Sequence, residues 1–211
     1  MIDDHLKLIF VENPKTGTYS IRKALLGENI HNPLDPRVAT FNHEVPEKIR
    51  NKHPEKWRDY LSFVVIRNTW DRAYSFFNFY RNIAQSESYK SLSFDEWVAA
   101  DCPPPREDHL RGPMHREGRF DDVLCQQRYA HDVNQVIVLH SFDVEKRNLE
   151  LQLGVGRILS RLNRQAAQIP VDSGHHRNPD CTMVWKKETV NKLKNKYAEE
   201  IERFGFEKPV D

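Results

Sequence analysis

An α/β sandwich built on a central parallel sheet is the fold this chain predicts, on three observations. Three short apolar runs, Leu6 to Val11, Leu61 to Arg67 and Gln135 to Leu139, have the length and content of buried strands. Each is followed by a stretch with helical spacing. The intervals between the runs are long enough for the crossovers that parallel strands need. At 211 residues the chain is expected to be one domain, 1–211, with a core that requires no disulfide or metal staple.

In order along the chain, Leu6 to Val11 reads as a strand and Tyr19 to Leu26 as the helix after it. Gly27 to Asn42 carries Pro33 and Pro36 and reads as loop; Glu44 to Asn51 reads as a short helix. Leu61 to Arg67 (LSFVVIR) is the strongest strand, continuous and β-branched, as suits a strand covered on both faces. Asn68 or Thr69 caps the next helix, where Trp70, Ala73, Tyr74 and Phe77 share a face. Phe94 to Ala100 is a further short helix, and the proline-bearing stretch from Cys102 to Gly118 is a surface loop or lid. Gln135 to Leu139 is the third strand and Asp143 to Leu153 its helix. Asn163 to Cys181 has no periodicity, and loops of that length are often functional. Lys186 to Phe204 forms a last helix with Val190, Leu193, Tyr197, Ile201 and Phe204 on one face, ended by Gly205.

Composition excludes several classes. Lys and Arg number 32 against 31 Asp and Glu, so the global basic field of a nucleic-acid binder is absent. Cys102, Cys125 and Cys181 show no CxxC spacing, which indicates neither a disulfide framework nor a zinc knuckle and favours a reducing compartment. The first apolar run is about six residues, too short for a signal peptide or membrane span. A cytoplasmic protein without membrane or nucleic-acid partners is expected.

Two stretches carry chemistry. In FVENPKTGTYSIRKALL (Phe10 to Leu26) a strand passes through a short loop into a helix. A helix N-terminus attracts anions through unpaired N–H groups and the dipole. Gly17 allows close backbone approach, Thr16, Thr18 and Ser20 add hydroxyls, and Lys15 adds a mobile charge. The plain alternative is that Thr18 caps the helix and Lys15 is solvated. Because Lys15 precedes Gly17, and neither GKS nor GKT occurs in the chain, the usual nucleoside-triphosphate loop is disfavoured. In FVVIRNTWDRAYSFF, Arg67 ends a strand and Ser75 lies eight positions on in the next helix. A guanidinium and a hydroxyl at the carboxyl edge of a sheet suit a phosphate dianion. Arg67 paired with Asp71 is the plain alternative here.

Together these motifs resemble those of sulfotransferases that use 3′-phosphoadenosine 5′-phosphosulfate (PAPS), in the pattern of the Golgi-type carbohydrate sulfotransferases and their soluble bacterial relatives. P-K-T-G-T-x-S followed by Ile is similar to that family's 5′-phosphosulfate loop. R-N-x-x-D-R-x-x-S is similar to its R-N-P-x-x-R-x-x-S, with Thr69 in place of the proline. The resemblance runs from about Leu8 to Phe206, where YAEEIERFGF is similar to the family's packing signature at its end. It implies a P-loop-NTPase-like three-layer sandwich with a central parallel sheet. It also implies that Lys15, Thr16, Gly17, Thr18, Tyr19 and Ser20 hold the phosphosulfate, and that Arg67 and Ser75 hold the 3′-phosphate. Tyr19 stands where the family commonly has a small hydroxyl residue, so its backbone is the donor that survives. GHHRNPDC (Gly174 to Cys181) is similar to a loop that closes over the nucleotide, and this implies a phosphate contact for Arg177. His175 and His176 as a metal pair is the competing reading, weakened by the lack of an upstream ligand. Cys125, Gln126 and Gln127 match a helix that often carries a glutamine near the acceptor cleft.

Sulfuryl transfer needs in-line positioning and cationic donors on the leaving phosphate, a role Lys15 fits. It also needs a base for the acceptor hydroxyl. His43, 24 residues before Arg67 in TFNHEVPEKI, is the candidate, with Glu44 next. The expected activity is a PAPS-dependent sulfotransferase acting on a hydroxyl of a small molecule or glycan, with no metal required. Two rivals are a P-loop-like nucleotide kinase and a non-catalytic nucleotide-binding module. The loops Asn29 to Phe41 and Asp101 to Phe120 should line the acceptor site. The second carries Arg106, His109, Arg111, His115, Arg116 and Arg119, which suit an anionic acceptor as well as a solvated loop. Nothing in the sequence specifies an oligomeric state.

Overall fold

The three apolar runs that mark the sequence lie side by side in one sheet. The computed structural model describes residues 1–27, 32, 35, 37, 43–106, 125–162 and 184–209. Its elements in chain order are β1 (Ile2–Asp3), β2 (Leu8–Val11), α1 (Thr18–Leu26), α2 (Pro46–Lys52), α3 (Pro54–Asp59), β3 (Leu61–Arg67), α4 (Thr69–Asn78), α5 (Glu87–Lys90), α6 (Phe94–Ala99), β4 (Gln135–Leu139), α7 (Val144–Arg161), α8 (Lys187–Lys196) and α9 (Ala198–Phe204). A π-helical turn, Phe79–Ile83, follows α4, and a 3-10 turn, Gln126–Arg128, precedes β4. The chain is α/β, and it divides into two compact units: residues 1–67 with 126–173, and residues 68–125 with 174–211.

The first unit holds the sheet, in the order β1-β2-β3-β4. β2, β3 and β4 are parallel, as the crossover spacing predicts, while β1 adds an antiparallel edge that two residues are too short to announce. β2 begins at Leu8 and not at Leu6, because the Leu6 N–H donates to Asp3 Oδ1 at 2.8 Å in the turn between β1 and β2. β3 and β4 have the boundaries read from the sequence. On one face Leu8, Phe10, Phe63, Val65, Ile137 and Leu139 pack with Ile21 and Leu26 of α1 and with Leu151, Val155, Ile158 and Leu159 of α7. Phe10 and Phe63, direct neighbours in register, stack with centroids 4.8 Å apart.

Several boundaries differ from the sequence reading. Pro46 sits at the start of α2, so that helix begins two residues after Glu44, and Pro54 starts the unforeseen α3 in the same way. α7 runs to Arg161, well past the expected end at Leu153. Gly154 looks like a helix breaker but serves packing: a Cβ there would lie 2.5 Å from Ile137 Cγ2, so the glycine lets α7 approach β4.

The second unit is helical among its described residues. Asn68 caps α4, accepting from the Trp70 N–H at 3.2 Å. Phe77 lies 5.6 Å from the rings of Tyr89, Phe94 and Trp97, forming an aromatic core. Trp70 Nε1 donates to the Val190 carbonyl at 3.0 Å and fixes α8 against α4. The single terminal helix expected from Lys186 to Phe204 is two helices, broken at Tyr197 (φ −117°, ψ 30°). After the break buried Glu200 accepts from Thr69 Oγ1, while Ile201 and Phe204 are only half-buried. Gly205, with φ 64°, ends α9 as its position predicts. Among the described residues no helix is long and apolar enough to cross a membrane.

α6 carries a capping box in which Ser93 and Glu96 satisfy each other's backbone. Its Asp95 joins α8 through Thr189 Oγ1 and Lys186 Nζ. Burial pushes the Asp95 carboxyl up, but hydrogen bonds from Lys186 and Thr189 and the Lys186 charge outweigh it and hold the group below the ordinary carboxylate value. A carboxyl depressed on folding stabilises above its unfolded value and loses that contribution as pH falls through its folded value. Asp95→Asn should therefore lower stability by about 1 kcal/mol at pH 7. In thermal melts the difference from wild type should shrink as pH falls below 3.8, the unshifted value for the group. A difference that persists unchanged at pH 3 contradicts the assignment.

Candidate functional site

The loop between β2 and α1 is built around one residue, Asn13. Its carbonyl accepts from Thr16 Oγ1 at 2.8 Å and from Thr18 Oγ1 at 2.9 Å. Both hydroxyl protons therefore close the turn, where the sequence reading offered them to an anion. Lys15 and Gly17 are left-handed, with φ 63° and 86°. For lysine that conformation costs about 1–2 kcal/mol. Gly17, and not Thr18, is the N-cap of α1, and no side chain caps the helix. Two features favour glycine there: the positive φ, and Leu151 Cδ2, which would stand a tight 3.3 Å from an added Cβ.

The first-turn N–H groups of a helix have no acceptor within it. Those of Thr18 and Ser20, and that of Gly17, make no hydrogen bond to another described residue. The loop thus presents backbone donors and the dipole end of α1, with the half-buried Lys15 beside them. Tyr19 is exposed on the first turn and Ser20 is buried.

Arg67 closes a ring of hydrogen bonds with this loop. β2 ends at Val11, paired with Val64, so β3 runs three residues beyond it. Side chains complete the ladder there. Asn13 Nδ2 donates to the Val65 carbonyl at 3.0 Å and to Gln126 Oε1 at 3.1 Å. Gln126 accepts from the Arg67 N–H at 2.9 Å and donates through Nε2 to the Arg67 carbonyl at 2.7 Å. Arg67 Nη1 then donates to the Lys15 carbonyl at 3.1 Å. Asn13 and Gln126 are both fully buried, as amides can be when each polar atom is matched.

His43 joins the same end of the sheet. Its Nδ1 lies 2.8 Å from the Glu12 carbonyl. A carbonyl only accepts, so Nδ1 carries a proton, and in the neutral form of the ring the lone pair is on Nε2. Tyr129 donates its hydroxyl to the His43 carbonyl at 3.3 Å. The Glu44 carboxylate pairs with Lys52, and that of buried Glu12 lies 3.7 Å from Arg22 Nε.

The first unit therefore bonds Arg67 to Lys15 directly and ties Thr16 and Thr18 to Asn13 in the same loop as Gly17, with His43 held by the residue before Asn13. Ser75 lies half-buried on α4 of the second unit. Arg177, His175 and His176 lie outside the described residues, as do His109, Arg111, His115, Arg116 and Arg119. The Arg106 N–H donates to Ser88 Oγ at 3.2 Å. Sequence reading missed Asn13 altogether and set Gln126 beside an acceptor cleft. Its amide is buried and bonded to the Arg67 backbone. The one available signal was a polar residue at the end of an apolar run.

No family model, curated protein or solved structure matches the chain.

Gln126→Leu keeps the volume but strips partners from both backbone groups of Arg67. Each such group costs about 1–3 kcal/mol, and partial exposure of the site lowers the sum to roughly 2–3 kcal/mol. Urea unfolding should register that loss; a change under about 0.5 kcal/mol contradicts the bracing role.

Proposed function

We propose that the chain is a sulfotransferase that moves a sulfuryl group from PAPS to a hydroxyl acceptor, its α/β fold being the P-loop-NTPase-like three-layer sandwich. The observation that carries this reading is the loop: a lysine ahead of its glycine, at the amino end of α1, tied directly to Arg67. The N–H groups of Gly17, Thr18 and Ser20, to which no other described residue is bonded, suit the 5′-phosphosulfate together with Lys15. Thr16 and Thr18 shape that loop through Asn13, and Tyr19 contributes backbone alone. Arg67 takes the 3′-phosphate. Ser75 and Arg177 enter that contact on the sequence resemblance only.

In the reaction the acceptor oxygen attacks sulfur in line. The bond from sulfur to the bridging oxygen of the 5′-phosphate breaks, and 3′-phosphoadenosine 5′-phosphate (PAP) leaves with the electron pair. Lys15 offsets charge on that leaving phosphate. His43 Nε2 takes the acceptor proton, the hydrogen bond from Nδ1–H to the Glu12 carbonyl holding the ring in the required tautomer. The protein supplies position and charge and forms no covalent intermediate.

The test is turnover with PAPS and a panel of hydroxyl and amine acceptors, read by mass spectrometry as the gain of one sulfo group. His43→Ala should lower kcat by roughly 100- to 10,000-fold and leave PAP affinity within about twofold. Turnover that survives the substitution removes His43 from the mechanism. Wild-type inactivity across the panel with PAP binding intact favours a non-catalytic module.

A further inference from the structure

We propose that Arg67 is also a positioning residue for the loop, holding residues 13–18 in their anion-binding form through the Lys15 carbonyl. This deepens the proposed function and rests on that reading. A 3′-phosphate ligand needs only to reach its phosphate, yet here the guanidinium is bonded to the backbone of the 5′-phosphosulfate loop.

The loop needs such a tie. Lys15 and Gly17 are both left-handed within three positions, and a strained lysine conformation persists only where its surroundings over-determine it. Thr16 and Thr18 fix the turn at the Asn13 carbonyl. Arg67 Nη1 provides a second tie at the strained residue itself, 3.1 Å from its carbonyl. The tie is firm because Gln126 holds Arg67 by its own N–H and carbonyl.

Residue type matters for the same reason. A guanidinium offers five N–H groups on a rigid plane, so one can hold a carbonyl while the group keeps its charge toward a dianion. An ammonium is a compact point donor and does not span two such partners. Loss of Arg67 should therefore weaken recognition at both ends of the nucleotide.

Wild type, Arg67→Ala and Arg67→Lys are to be compared in two measurements. The first is affinity for PAP and for adenosine 5′-monophosphate, which lacks the 3′-phosphate. The second is amide hydrogen exchange of a peptide covering residues 13–18, with a peptide of β4 as the internal standard for global stability. Arg67→Ala should weaken adenosine monophosphate binding at least fivefold and speed loop exchange about tenfold, with β4 unchanged. Arg67→Lys should retain part of the preference for PAP over the monophosphate while loop exchange stays fast. Unchanged monophosphate affinity and unchanged loop exchange in Arg67→Ala overturn the proposal. If wild type binds neither nucleotide, the proposed function fails, and loop exchange alone then decides whether the tie exists.

Discussion

Where β2 stops opposite Val64, β3 runs on to Arg67 beside β4, and the overhang's backbone groups on the β2 side need partners that β2 no longer supplies. The buried amide pair of Asn13 and Gln126 supplies them. Each amide has a fixed set of donors and acceptors, and here Asn13 Nδ2 reaches Val65 and Gln126 while the Gln126 amide meets both backbone groups of Arg67. In a low-dielectric setting such a network is stiff when complete and costly when broken. Because Asn13 also anchors the turn through its carbonyl, the end of the strand and the shape of the loop are fixed by the same residues.

That constraint explains how donors are divided around the loop. The Thr16 and Thr18 hydroxyls are consumed inside the turn, while the N–H groups of Gly17, Thr18 and Ser20 bond to no other described residue. Backbone donors held by such a turn need little reorganisation when an anion arrives. His43 is set in the same manner, since its tautomer follows from a bond to the Glu12 backbone, one residue before Asn13. The apolar face beneath, from Phe10 and Phe63 to Leu151, keeps α1 and α7 against the sheet and brings Leu151 up to Gly17.

Much of the first unit was legible in the sequence because its strands are buried continuous runs. β3 and β4 could be bounded to the residue, and the strand–loop–helix order around Lys15 set the candidate site. What was illegible depends on pairing across distance. Asn13 and Gln126 are 113 positions apart, and a single polar residue carries no period that betrays its partner. The direction of the Thr16 and Thr18 hydroxyls was hidden likewise, since residue type alone does not say whether a hydroxyl faces inward or outward. The length of α7 was misread for a related reason: Gly154 weakens helix propensity locally while enabling close packing on Ile137. The break at Tyr197 leaves the buried face of Val190 and Leu193 intact, so periodicity could not reveal it.

The central claim is that the loop and Arg67 recognise an adenosine bisphosphate and not a triphosphate tail. Calorimetric titration of the whole chain with PAP, in the absence of divalent cations, tests this most directly. The account predicts saturable one-to-one binding that magnesium does not strengthen, and weaker binding of ATP with or without magnesium. Absence of saturable PAP binding, or a magnesium-dependent preference for ATP, would contradict it.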